Sequence, residues 1–168
     1  MTRREVLATI SAVATHALFA DVLEAFARAA AAPPDAWRPE AVAADQGPLL
    51  AEVVETILPA TDTPGAKAAR VHVFVDLALA RCALPARRAA ALSALRALGA
   101  GFLAATSDAR RAALGRLDGA ALALLQELTV LGYFSSEIGA TRALAYDPVP
   151  GGYRGCVDLA PGQKAWAT

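Results

Sequence analysis

Chemistry-bearing residues are scarce in this chain. In 168 residues there are two cysteines, two histidines and two lysines. Cys82 and Cys156 match no zinc or haem-attachment spacing, and His16 and His72 lie far from both, so no metal site is expected. Two cysteines leave three options open: an internal disulfide, a bond to another chain, or free thiols. The formal net charge is zero, which removes long-range attraction to nucleic acid and gives an acidic substrate no advantage. The basic residues are arginines apart from Lys67 and Lys164, and they form no stripe interleaved with aromatics, so no nucleic-acid role is expected. No apolar run is long enough to read as a membrane span. There is no internal repeat, and no low-complexity tract beyond the alanines.

What is abundant is apolar and helix-forming. Apolar residues make up 56% of the chain, enough buried surface to offset the entropy of ordering one domain. Alanine supplies much of it, which favours helix. Leu49, Leu50, Val53, Val54, Ile57 and Leu58 recur at three- and four-residue steps and predict a helix from Pro48 that Pro59 ends. Val71, Phe74, Val75, Ala78, Leu79 and Cys82 predict the next. Pro85 suits the first turn of a helix running to about residue 103. Ser107 is the expected cap of a short helix over 108–117, and Asp118 of a long one over 119–144. Gly132 and Gly139 inside that helix each cost about 1 kcal/mol relative to alanine, which points to another backbone packing close. The expected fold is all-α, a helical bundle with an extended arm. Residues 1–32 form an export signal or N-terminal helix, 33–47 a surface linker, 48–144 the helical domain and 145–168 the arm. Proline and glycine break the arm, yet Tyr146, Val149, Tyr153, Cys156, Val157 and Leu159 can anchor it to a surface.

The first thirty residues admit two readings. Arg3-Arg4, a weakly apolar run and small residues such as Ala27-Arg28-Ala29 are parts of a twin-arginine export signal. Asp21 and Glu24 sit where a signal is normally neutral. Val6, Ile10, Val13 and Ala17, then Leu18, Val22 and Ala25, equally fit an amphipathic helix of the mature protein. A degenerate signal that stays attached and packs as a helix satisfies both.

Reactive constellations are poorly represented. Ser135 and Ser136 lack a nucleophile elbow. Cys156 with His72 is arithmetically possible as a thiol nucleophile and base. Glu52 with Glu55, and Glu127 with Glu137, are possible carboxylate pairs, but the Glu-x-x-His signature of bundle metal sites is absent, and ion pairs with arginine are the plainer reading. Gly151-Gly152-Tyr153-Arg154-Gly155 is no phosphate loop, because no Gly-Lys-Ser/Thr follows it. Gly132-Tyr133-Phe134 reads first as core aromatics. The remaining features are surfaces suited to docking.

Three ordered motifs carry a resemblance. Thr61-Asp62-Thr63-Pro64-Gly65-Ala66, Leu131-Gly132-Tyr133-Phe134-Ser135-Ser136-Glu137-Ile138-Gly139-Ala140 and Pro148-Val149-Pro150-Gly151-Gly152-Tyr153-Arg154-Gly155-Cys156 resemble segments of the gluconate 2-dehydrogenase subunit 3 family, over about residues 48–159. The resemblance implies a non-catalytic small subunit without a cofactor of its own. It would bind, stabilise and help export a large FAD-dependent sugar or sugar-acid dehydrogenase of the glucose–methanol–choline type, with a cytochrome c as a possible electron acceptor. It also implies a periplasmic location, with Arg3 and Arg4 as the export signal and its cleavage left open. Pro64, Tyr133, Phe134, Pro150, Tyr153 and Cys156 are the matched positions expected to contact the flavoprotein, since aromatics and a proline-rich arm give contact area at low ordering cost. In an oxidising compartment Cys156 has the option of a disulfide. A stand-alone periplasmic enzyme using Cys156 or a carboxylate pair, and a helical adaptor for another partner, are the alternatives.

Overall fold

Proline and glycine punctuate a set of helices whose apolar faces must find one another. The computed structural model describes residues 19–33, 36–149, 151–152, 158 and 160–167. Their order is α1 (19–31), a 3-10 turn at Ala44–Gln46, α2 (Gly47–Ile57), α3 (Val71–Arg81), α4 (Pro85–Leu98), the one-turn α5 (Gly101–Ala104), α6 (Ser107–Leu114), α7 (Gly119–Phe134) and a π-turn at Gly139–Ala143. Among the described residues the only β feature is an isolated bridge. The all-α expectation is borne out. No helix of the described residues is long and apolar enough to cross a membrane.

Helix α3 is the centre of the molecule. Val71, Val73, Phe74, Val75, Leu77, Ala78 and Leu79 are all buried, and a helix apolar on every side has to be covered on every side. One side joins Leu50, Val53 and Val54 of α2, Leu95 of α4 and Leu125 of α7 in the main core. The other side, with Val73, Phe74, Leu77 and Ala78, takes Val22 and Phe26 of α1. Burying two such side chains contributes about 1.5–3 kcal/mol each.

Local capping shapes the ends, and it departs from the sequence reading in three places. Helix α4 stops at Leu98, short of 103, because Gly99 takes a positive φ of 64°. Thr106, not Ser107, caps α6, its hydroxyl accepting from the N–H of Ala109. Helix α7 begins at its expected cap, with Asp118 Oδ2 accepting from Ala120 and Ala121. It ends at Phe134 rather than 144. Ser136 is the reason: its hydroxyl donates to the carbonyl of Tyr133 at 2.6 Å and accepts from the N–H of Gly139 at 3.0 Å. The chain folds so tightly there that a Cβ on Gly139 would lie 2.7 Å from the carbonyl carbon of Tyr133. The backbone close to Gly139 is thus the chain's own preceding turn at Tyr133, not that of another packed element, and Gly139 lies beyond the end of α7. At Gly132 the close neighbour is instead the side chain of Phe74.

The connection before α2 is pinned from within. Asp76 is fully buried on α3. Its carboxylate accepts from the backbone N–H groups of Glu40 (2.7 Å), Ala41 (2.9 Å) and Val42 (3.0 Å). Three oriented donors replace the water that a buried carboxylate loses. They draw Val42 into the core, while Trp37 packs over Gly47, where a Cβ would meet the indole at 2.9 Å.

Candidate functional site

The loop after α2 is built around Glu55. Its carboxylate accepts from the N–H of Ala60 at 3.1 Å and of Lys67 at 2.7 Å, clasping both ends of the Thr61–Ala66 motif. Gly65 lies against that carboxylate, and a Cβ there would stand 2.6 Å from Glu55 Oε2 and from the nitrogen of Ala60. Only glycine fits. The Ala66 N–H then closes onto the carbonyl of Leu58 at 2.9 Å. Neighbouring Glu52 takes Lys67 Nζ and Arg110 Nη1, the latter at 2.5 Å. Those bonds, Lys67 first, hold its carboxyl below the usual range against the opposing effect of burial.

Tyr133 joins this loop to α7. Its hydroxyl donates to the carbonyl of Pro64 at 2.7 Å, and its ring is 3% exposed. Two motifs far apart in sequence are thus one physical unit. Phe134 stands edge-on to Tyr133, ring centroids 5.3 Å apart, but faces outward at 41% exposed, beside Leu131 at 40%. With Leu23, Phe26, Ala30 and Leu144 they line an open, largely apolar groove of about 670 Å³ between α1 and the end of α7. The small alanines of α1 make a floor that a second helix or an apolar segment can approach closely.

The start of the C-terminal arm is clipped. Ala145 donates to the carbonyl of Ala165 and accepts from Ala167, both at 2.8 Å, forming a parallel bridge between Ala145 and Trp166. Lys164 Nζ donates to the carbonyl of Arg142 at 2.6 Å. The residues just inside the clip present Tyr146 and Val149 to solvent.

The residues expected to meet a partner therefore divide. Phe134 is exposed. Pro64 is at the surface, and its carbonyl is engaged inward. The Tyr133 side chain is spent within the chain, where it positions the Pro64 loop. Pro150, Tyr153 and Cys156, like Arg3 and Arg4, lie outside the described residues. Sequence reading missed Leu131, Leu23 and Phe26 as groove residues. The only signal for Leu131 was its place in the second motif; nothing local marked the two on α1.

Among the groups weighed for chemistry, Glu52 is bound by two cations and Glu55 by two backbone donors, and Glu127 pairs at the surface with Arg87 at 3.2 Å. The Ser136 hydroxyl is occupied at both lone pair and proton. His72 sits edge-on to Trp37, centroids 5.0 Å apart. Burial, with Arg70 and Lys67 nearby, pushes its pKa down to about 4. Burial also raises the thiol of Cys82. No group of three or more metal-capable side chains occurs among the described residues.

No curated protein and no solved structure matches the chain. A family model does match, over residues 44–151, most of the chain and everything from the 3-10 turn through both structured motifs. The chain with this Glu55–Gly65–Tyr133 unit belongs to the gluconate 2-dehydrogenase subunit 3 family, a family of subunits of dehydrogenase complexes.

Proposed function

We propose that this chain is the non-catalytic small subunit of its complex, and that it grips a large FAD-dependent dehydrogenase of the glucose–methanol–choline type through the groove at the end of α7. The observation that carries this reading is the division of labour in the second motif. Tyr133 and Gly132 fix the helix end inward, leaving Phe134 and Leu131 together on the outside of an apolar groove. Exposed large apolar side chains gathered at one concave place mark contact surfaces. Tyr146 and Val149, at the root of the arm, extend the same kind of surface. The FAD belongs to the partner, electrons pass on to a cytochrome c or another acceptor, and Arg3-Arg4 directs the folded pair to the periplasm by the twin-arginine route.

Co-expression with an FAD-dependent dehydrogenase of that type from the same host tests the reading. The two should co-purify as a complex carrying FAD, and Phe134→Asp should abolish co-purification while leaving the melting temperature of the isolated chain within about 2 °C, the usual range for a surface substitution. A flavoprotein that folds, is exported and works equally well without this chain would overturn it.

A further inference from the structure

We infer that α1 stays on the working protein as a permanent wall of the docking groove, so that Ala27-Arg28-Ala29 is not a processing site and any cut falls before Phe19. Three independent attachments hold the helix. The first is apolar: Val22 and Phe26 are buried, and Phe26 and Phe19 stand edge-on to the fully buried ring of Phe74 at 5.5 and 6.5 Å. The second is at the C-terminal end. Arg70 Nη1 donates to the carbonyls of Ala30 at 3.1 Å and Ala32 at 2.7 Å. Those carbonyls have no partner within the helix, and a cation there also complements the helix dipole. Arg70 takes a left-handed conformation, φ 54°, which a bulky residue adopts only where its surroundings require it. The third is an ion-pair relay: Arg81 bridges Asp21 of α1 at 2.8 Å and Glu40 of the connection at 2.5 Å.

The same contacts decide against cleavage within the helix. A processing enzyme needs an extended, reachable backbone, and residues 27–29 are inside a hydrogen-bonded helix. A cut after Ala29 would remove Val22 and Phe26 and leave Phe74, Leu77 and Ala78 of α3 facing water. It would also remove Leu23, Phe26 and Ala27 from the groove. Asp21 and Glu24, which fit a signal badly, fit here as the partners of Arg81 and Arg28, the latter at 2.7 Å. Helix α1 lies before the family-matched residues 44–151.

The test is the intact mass and N-terminal sequence of the full chain recovered from the exported fraction of its host, read whether or not a flavoprotein accompanies it. A mature N-terminus at or before Phe19 is expected; one anywhere between Ala20 and Pro33 would overturn the inference. Failure of the partner reading alone would leave this mass unchanged. As a second measurement, Arg70→Met in the full chain should raise the rate of limited proteolysis within 19–33 at least tenfold, while cleavage in α2 to α7 stays at its original rate. An unchanged rate within 19–33 would remove Arg70 as the anchor.

Discussion

Gly132 is the most exacting position in the packing, and replacing it with alanine pits two effects against each other. In an isolated helix Gly132→Ala gains about 1 kcal/mol. Here the new methyl would lie 2.5 Å from Cδ1 and 2.9 Å from Cγ of Phe74. Carbon atoms rest at about 3.5–4.0 Å, so the ring must move by roughly an ångström. Phe74 is fully buried and packed edge-on by Phe26 and Phe19. The crowded atoms are near the root of the side chain, where a rotamer change gives little relief. Overpacking of this kind costs about 1–3 kcal/mol, and the close approach places it near the upper end. The net loss is then about 2 kcal/mol, a fall of roughly 4–8 °C in melting temperature for a chain of this size. Thermal unfolding followed by circular dichroism is the assay. The strain also runs through Phe74 to α1, so limited proteolysis within 19–31 should accelerate. Combining Gly132→Ala with Phe74→Leu should cost less than the sum of the two single changes, because the smaller side chain vacates the space. A raised melting temperature for Gly132→Ala, or strict additivity in the pair, would refute the reasoning.

Four further outcomes follow from the same contacts. Glu55→Leu leaves the N–H groups of Ala60 and Lys67 without their acceptor and should cost about 1–3 kcal/mol by denaturant titration, with amide exchange in 60–67 accelerating. Tyr133→Phe deletes the hydroxyl bond to Pro64 and should cost about 1 kcal/mol while co-purification with the flavoprotein survives, the reverse of Phe134→Asp. Asp76→Asn turns two of the acceptor lone pairs into donors facing backbone N–H groups and should destabilise the fold by about 3 kcal/mol, read as a lower denaturation midpoint. His72 is held neutral in the fold, with its pKa at about 4 against an ordinary 6.5. The unfolded chain therefore takes up the proton first as pH falls. This contribution to stability is complete above about pH 6.5, is lost progressively down to about pH 4 and then levels off, a total of about 3 kcal/mol. His72→Gln should flatten that part of the stability profile.

Periodicity, proline and capping were enough to place the helices, because those signals act within a few residues. The apolar run around Val71 and Phe74, the breaks at Pro48, Pro59 and Pro85 and the Asp118 cap all operate locally, and the structure agrees with them. The motifs alone were also enough for the family. Local signals failed where neighbouring residues competed for the same backbone groups: at Thr106 rather than Ser107, and at Ser136, whose two hydrogen bonds end α7 ten residues early.

What the tertiary structure decided is the meaning of the motif residues. Tyr133 and Phe134 are adjacent and alike in sequence, yet a helix turns successive side chains by about 100°. One is delivered to Pro64 in the core and the other to the surface. Asp76 looks like any helix-face acid until α3 is surrounded, and then it is the staple for residues 40–42. The first helix was undecided for the same reason: Val22 and Ala25 fit a signal or a helix of the mature protein equally well. Only Phe74, brought to them by the packing of α3 and given its space by Gly132, assigns residues 19–31 to the fold.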